Sequence, residues 1–193
     1  MFLFLRRARF SALAAALILV PALRAGNIPF GQWQQFSFQS AGVAARGCDP
    51  ADPSGDFCFP SSGTPSTFLD APPWTFTVAG NAILTVTDAF TSGDRFEIFN
   101  GLNSLGLTSA PFGVADCGDD PVVCAGTAGI SGASFLLSAG SYSITVVPTV
   151  TSGGSGFLMV SDAPEPGSFL LLAFGGLLLS VIRFGASCKE EEK

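Results

Sequence analysis

Apolar and polar residues alternate over short stretches through the middle of the chain. The clearest stretch is residues 74–78, where Trp74, Phe76 and Val78 share one side and two threonines share the other. Successive side chains of a β-strand point to opposite faces, so this alternation predicts a half-buried strand. Segments of this kind predict strands over residues 32–39, 74–78, 83–87, 96–99, 104–108, 134–137, 142–147 and 157–160.

Turn-forming residues separate the predicted strands. Ala79-Gly80-Asn81 and Ala139-Gly140-Ser141 each lie between two of them, and Gly and Asn accept a positive φ most easily. No amphipathic helical pattern intervenes, which favours an antiparallel sandwich over a parallel α/β sheet. We therefore expect an all-β fold for residues 26–162, an antiparallel β-sandwich of the jelly-roll or a related Greek-key type.

The first 25 residues have the three-part pattern of a signal peptide. Arg6, Arg7 and Arg9 precede an apolar run over residues 11–23, and Ala25 offers signal peptidase a small residue for cleavage. The alternative is an uncleaved membrane anchor, but the apolar run is shorter than the ~20 residues of a comfortable span. The pattern favours export.

A second apolar run lies near the C-terminus. Pro164-Glu165-Pro166 precedes the mostly apolar residues 169–182 and then Arg183. A helix of about fourteen residues is about 21 Å long, which makes it a weak permanent anchor for a bilayer. We predict a transmembrane helix over residues 169–184 and a cytoplasmic tail over residues 185–193. A membrane-anchored protein with a proline-rich stalk is the alternative.

The C-terminal pattern resembles a known sorting signal. Pro164-Glu165-Pro166, a short apolar helix and a following arginine are similar to the PEP-CTERM tail of Gram-negative bacteria, a tail that is also labelled an ice-binding protein C-terminal domain. The resemblance implies that residues 163–168 are the sorting motif and that an exosortase recognises it. It further implies that the inner membrane holds the protein until cleavage, and that the mature protein is at the cell surface or extracellular.

A looser resemblance covers part of the predicted sandwich. Residues 84–90 and 92–101 are similar to uncharacterised PEP-CTERM ectodomains and, more distantly, to CUB-like sandwiches. In CUB-like sandwiches acidic loop residues bind calcium and dock partners. The resemblance therefore implies a CUB-like ectodomain without assigning its ligands.

The five cysteines fall into two nearby pairs and one distant residue. Export into an oxidising compartment favours local disulfides between Cys48 and Cys58 and between Cys117 and Cys124. Cys188 lies beyond the C-terminal apolar run, where it is expected to stay reduced. Nine and six intervening residues are too many for a zinc knuckle.

Charge and composition exclude several classes of function. The chain has no histidine, which removes histidine-based hydrolase triads and histidine-ligated zinc. Between residues 26 and 166 only Arg46 and Arg95 are basic, against twelve acidic residues, a formal charge of −10. Such a surface repels phosphate backbones, so we expect no nucleic-acid partner.

Acidic residues near the centre of the chain are candidate calcium ligands. Asp88, Asp94 and Glu97 are close in sequence, and carboxylate oxygens are ligands that calcium prefers. The alternative is that both aspartates end strands while Glu97 faces solvent. We expect no resident cofactor other than this candidate calcium ion. Asp116, Asp119 and Asp120 form a second acidic loop in which turn formation is at least as good an explanation.

Two classes of function remain. The first is an exported structural or adhesion protein of the cell surface or extracellular matrix, without catalytic activity. The second is a glycan-binding protein or carbohydrate-active enzyme of the exopolysaccharide layer, since paired carboxylates can hydrolyse glycosidic bonds. Trp33, Trp74 or phenylalanines could then stack on sugars, although aromatic residues at strand spacing are more often core residues. The expected partners are signal peptidase, exosortase and extracellular polysaccharide.

Overall fold

A computed structural model of the chain describes residues 26–151 and 153–164. The predicted signal peptide with Ala25, the residues Glu165 and Pro166 of the sorting motif, the predicted transmembrane helix and the tail lie outside the described residues. Within the described ranges no helix has the length and apolar character of a membrane span.

The described chain is built mostly from β-strands. The strands are β1 (Trp33–Phe38), β2 (Cys48–Asp49), β3 (Asp56–Phe57), β4 (Ser66–Phe68), β5 (Trp74–Val78), β6 (Ala82–Asp88), β7 (Arg95–Asn100), β8 (Asn103–Leu107), β9 (Gly132–Leu137), β10 (Gly140–Val150) and β11 (Gly154–Asp162). One short helix, α1 (Pro121–Gly126), lies between β8 and β9.

Two sheets enclose the core. The first has the strand order β4-β1-β11-β6-β9 and the second the order β5-β10-β7-β8, while β2 and β3 form a small separate pair. Antiparallel pairing predominates, but β4 joins β1 in parallel and β2 pairs with β3 in parallel. The architecture is β-sandwich-like, and the expected all-β class is confirmed.

Alternating apolar residues from both sheets form the main core. In β5, Trp74, Phe76 and Val78 are buried while the two intervening threonines are more exposed, so the alternation predicted the inward face correctly. The ring of Phe36 packs against Trp74 with centroids 5.8 Å apart. Glycine at position 156 gives the Phe36 ring its space, because a Cβ there would lie 2.6 Å from Phe36 Cζ.

Strand β1 is covered on both faces. All six of its residues are buried, and its outward residue Trp33 belongs to a second apolar cluster with Phe157, Cys117 and Cys124. The loops before β4 and around α1 therefore cover the outer face of the first sheet. The candidate functional groove lies on this side of the sandwich.

Eight observed strands correspond to the eight predicted segments, and four short elements were missed. The missed elements are β2, β3, β4 and α1, each of two to six residues. A two- or three-residue strand has too few positions to alternate, and α1 is set by Asp120 as its N-cap rather than by an apolar period.

Candidate binding groove between two disulfide loops

Two disulfides brace the loops on one side of the sandwich. Cys48 bonds to Cys58 and Cys117 bonds to Cys124, with Cα–Cα distances of 5.6 and 4.9 Å. Both predicted pairings are therefore confirmed. Each bridge closes a short loop and removes conformations from the unfolded chain, which is typically worth about 2–4 kcal/mol of stability.

The first disulfide presents two phenylalanines to solvent. Cys58 is buried and points inward to Cys48, so in an extended chain its neighbours Phe57 and Phe59 point the opposite way. Their exposed fractions are 69% and 59%. The rings are perpendicular, with centroids 5.2 Å apart. A buried cystine thus fixes the backbone beneath a pair of open aromatic rings.

The second disulfide loop holds a third ring beside them. Phe90 has a φ of 60°, a left-handed conformation that is costly for a bulky residue. Its N–H donates to the Gly118 carbonyl (2.8 Å), and its carbonyl accepts from the Cys117 N–H (2.7 Å). These bonds hold Phe90 so that its ring lies 6.1 Å from that of Phe59, again perpendicular.

Hydrogen bonds tie the two loops to one another. The Ser62 hydroxyl donates to Asp119 (2.8 Å) and the Thr64 N–H donates to Asp120 (2.9 Å). Asp120 also accepts from two N–H groups of α1. The Thr64 N–H and the helix N–H groups lower the pKa of Asp120. Asp120 therefore caps α1, and Asp119 ties its loop to Ser62 of the other loop.

Together these elements line a groove of about 510 Å³, a size typical of small-molecule sites. The Phe57, Phe59 and Phe90 rings are on one part of its wall, and Gln39, Asp56 and Ser155 supply polar groups. The Gln39 amide donates to Asp56 Oδ1 at 2.9 Å, which orients the carboxylate. We call this the aromatic groove.

Two glycines line the groove. Gly153, with a φ of 86°, immediately precedes β11, and Gly154 is the first residue of that strand. A Cβ at Gly154 would lie 3.5 Å from Phe38 Cζ and 3.8 Å from Asp94 Oδ2. Gly154 therefore lies between the groove and a buried pair of aspartates.

The structure brings together two of the three candidate calcium ligands. Asp88 is completely buried and Asp94 is 6% exposed. Asp88 accepts from the N–H of Ala89 (2.9 Å) and from the N–H of Asp94 (3.3 Å). Burial and, second, the negative charge of Asp94 raise the pKa of Asp88 to about 8 despite these hydrogen bonds.

The third candidate, Glu97, is in the other sheet. It follows the buried Phe96 in β7 and therefore lies on the outer face, where its carboxylate accepts from the Ser104 hydroxyl (2.6 Å). No three Cys, Asp or Glu side chains form a metal-binding group within the described ranges. Calcium binding stays a prediction.

The candidate sugar-stacking tryptophans are core residues. Trp33 is 6% exposed and Trp74 is fully buried, so neither ring has a face available to a ligand. The exposed rings that line the groove are those of Phe57 and Phe59, which the sequence analysis did not single out among the phenylalanines. The sequence feature that indicates their exposure is the F-C-F triplet at residues 57–59. In an extended chain a disulfide-bonded cysteine points inward, so both of its neighbours point outward.

Comparison with known proteins leaves the family open. No protein-family model and no curated protein matches the chain. One solved structure that it resembles is the pre-peptidase C-terminal domain of a collagenase from Bacillus anthracis, at 14% identity, over 70% of this chain and 93% of that one, with a TM-score of 0.38. No functional argument follows from a likeness this distant.

Proposed function

We propose that the chain is an exported protein of the cell surface or extracellular matrix, with a structural or adhesive role and no catalytic activity. The observation that carries the proposal is the pair of disulfides within one sandwich. Disulfides persist in oxidising compartments outside the cytoplasm. The excess of acidic residues supports this proposal further, since it disfavours nucleic acid as a partner.

We further propose that the two ends of the chain direct this export. Residues 1–25 would be removed by signal peptidase after Ala25, and an exosortase would recognise Pro164-Glu165-Pro166. Until that cleavage, residues 169–184 would hold the protein in the inner membrane. Resemblance to the PEP-CTERM tail supports this route.

Within the sandwich class we propose a jelly-roll or CUB-like Greek-key arrangement. From β4 to β11 nearly every connection crosses from one sheet to the other, and β7 with β8 is the hairpin that stays within one sheet. Frequent crossing between two packed sheets is typical of Greek-key sandwiches.

The export proposal is tested by intact mass of the protein from its native host, after separation of membrane, outer surface and medium. We expect cleavage near Ala25 and near residues 164–166, with the product outside the inner membrane. Glu165→Ala should retain the product in the membrane, whereas Asp162→Ala, which removes a neighbouring exposed acid, should not. A full-length chain confined to the membrane would contradict the proposal.

A second candidate function is glycan binding, which the aromatic groove favours. Phe57 and Phe59 expose large apolar rings beside polar groups, an arrangement that suits the mixed apolar and hydroxylated faces of a sugar. A surface protein with such a groove would attach to the polysaccharide around the cell. Binding to immobilised exopolysaccharide from the host, lost on alanine substitution of both phenylalanines, tests this function.

A further inference from the structure

We infer that the aromatic groove binds a cationic polysaccharide, one whose amino sugars carry free amino groups. The inference rests on the proposed surface function and deepens it by naming the chemical class of the ligand. Three features of the groove carry it: open aromatic rings, a carboxylate that forms no ion pair among the described residues, and a backbone fixed before any ligand arrives.

The open rings are the first feature. Phe57 and Phe59 are more than half exposed although they are adjacent to a buried cystine. Burying a large apolar side chain is favourable, so their exposure is unfavourable for the isolated domain. A sugar ring has an apolar face of C–H groups that covers an aromatic ring while its hydroxyls stay hydrogen-bonded to water or to protein. The rings are suited to this stacking.

The charge of the groove is the second feature. Asp56 lies at its edge and is oriented by Gln39. The two basic residues of the ectodomain are engaged elsewhere, because Arg46 pairs with Asp52 and the Arg95 Nε–H donates to the Thr108 carbonyl. An ammonium group gains both from the carboxylate and from the negative face of an aromatic ring. Charge complementarity therefore favours a cationic ligand.

The same charges discriminate among polysaccharides. Acidic polymers such as polyuronates would bring carboxylates beside Asp56 and into the field of a domain, residues 26–162, with two bases and eleven acids. Neutral glucans would stack on Phe57 and Phe59 but would gain nothing from Asp56. A polymer of glucosamine has the sugar face and the ammonium group together, so both features of the groove contribute to its binding.

Preorganisation is the third feature. The Cys48–Cys58 bridge fixes the backbone of both exposed phenylalanines. Phe90 is held in its left-handed conformation by donating to the Gly118 carbonyl and by accepting from the Cys117 N–H. Backbone strain of this kind persists where the surroundings impose it, and it concentrates at functional sites. A rigid groove loses little conformational freedom when a ligand binds.

The test uses the full-length chain, with its disulfides formed, in a mild detergent at a pH where sugar amines are protonated. Calorimetry compares a glucosamine hexamer with an N-acetylglucosamine hexamer, a glucose hexamer and hexalysine. We expect the glucosamine hexamer to bind most tightly. Phe57→Ala/Phe59→Ala should weaken it about tenfold, because each exposed ring contributes part of the stacking and cation–π attraction.

A variant of Asp56 separates the contribution of charge to binding from the contribution of aromatic stacking. Asp56→Asn should weaken the glucosamine hexamer about threefold, as expected for a partly exposed ion pair, and should leave the glucose hexamer unaffected. Phe112→Ala and Asp162→Asn are matched controls, since Phe112 is 67% exposed and neither residue lines the groove. Both controls should bind like the unmodified chain. Thermal melts establish that each variant is folded.

Several results would overturn the inference. They are equal affinity for the acetylated hexamer or for hexalysine, no binding of the glucosamine hexamer, or an equal loss in the control variants. These outcomes are distinct from failure of the surface function. A chain that reaches the cell surface but does not bind glucosamine would refute the groove's role alone, and a binding-competent chain retained inside the cell would refute export alone.

Discussion

Two turns of this sandwich each bury an aspartate, but the pKa of the carboxyl group is lowered in one turn and raised in the other. Asp52 is 1% exposed and Asp88 is completely buried. Each accepts two backbone N–H groups, from Gly47 and Ser54 in one turn and from Ala89 and Asp94 in the other. The turns differ in their charged neighbours. Asp52 faces Arg46 at 3.1 Å, whereas Asp88 faces the carboxylate of Asp94.

In each turn the charged neighbour acts in the direction of the pKa shift, together with burial at Asp88 and with backbone hydrogen bonds at Asp52. Burial alone would raise the pKa of Asp52, but the Ser54 N–H, the Arg46 guanidinium and the Gly47 N–H together lower it. At Asp88 burial and the charge of Asp94 act in the same direction, and the pKa rises to about 8. The first turn is therefore built for an ionised carboxylate, and the second favours a protonated one.

Removal of the Asp52 carboxylate should give the largest effect. Asp52→Ala leaves the buried Gly47 N–H without its acceptor and breaks the bond to Arg46 (3.1 Å). We expect the free energy of unfolding to fall by about 3 kcal/mol, because hydrogen bonds to a charged group are worth more than neutral ones. Urea unfolding near neutral pH, with the disulfides intact, measures it.

Arg46→Met is the matched control for that variant. It removes the ion pair but leaves both N–H bonds to Asp52, and Arg46 is partly exposed. A loss of about 1 kcal/mol is therefore expected. Equal losses in the two variants would mean that the ion pair, and not the backbone bonds, stabilises this turn.

The stability that the Asp88 turn contributes should fall as the pH rises, which is opposite to the pH dependence expected for the Asp52 turn. The pKa of Asp88 is raised from 3.8 to about 8 in the folded chain, so the folded state binds the proton more tightly than the unfolded state. Its contribution to stability is complete below the unfolded pKa and is lost as the pH rises towards 8. Asp88→Asn, which does not titrate, should remove this loss.

The size of that change is measured by urea unfolding of both proteins from pH 4 to pH 8. We expect the free energy of unfolding of Asp88→Asn, relative to that of the unmodified chain, to rise steadily from pH 4 to pH 8. Taking the difference between the two proteins cancels the titrating groups that do not interact with Asp88. A difference that does not change with pH would contradict the raised pKa.

The sequence predicted much of the sandwich and little of the groove. Strands such as β5 and β10 alternate over five or more residues, and the two nearby cysteine pairs were predicted correctly. Both signals are local in sequence. The groove instead combines Phe57 with Phe90 and Ser155, which are far apart along the chain. Only the packing of the disulfide loops against β11 brings them together.

The buried aspartates show the same limit. Asp88 and Asp94 are close in space as well as in sequence, because only five residues separate them. Their burial depends on the covering loops, so the raised pKa of Asp88 had no local signal. Glu97, three residues further, lies in the other sheet, since the connection between β6 and β7 crosses the sandwich.

The variant with the smallest expected effect distinguishes the two causes of the raised pKa of Asp88, which are burial and the like charge of Asp94. Asp94→Asn removes the neighbouring negative charge but leaves Asp88 buried, so the pKa of Asp88 should fall and stay above its ordinary value. Stability at pH 8 should rise by about 1 kcal/mol or less. Glu97→Gln, on the outer face of the other sheet, is the control and should leave that pKa unchanged. Titration of the Asp88 carboxyl carbon by NMR measures both. If Asp94→Asn restored an ordinary pKa, like charge alone would explain the shift, and burial would contribute nothing to the contrast with Asp52.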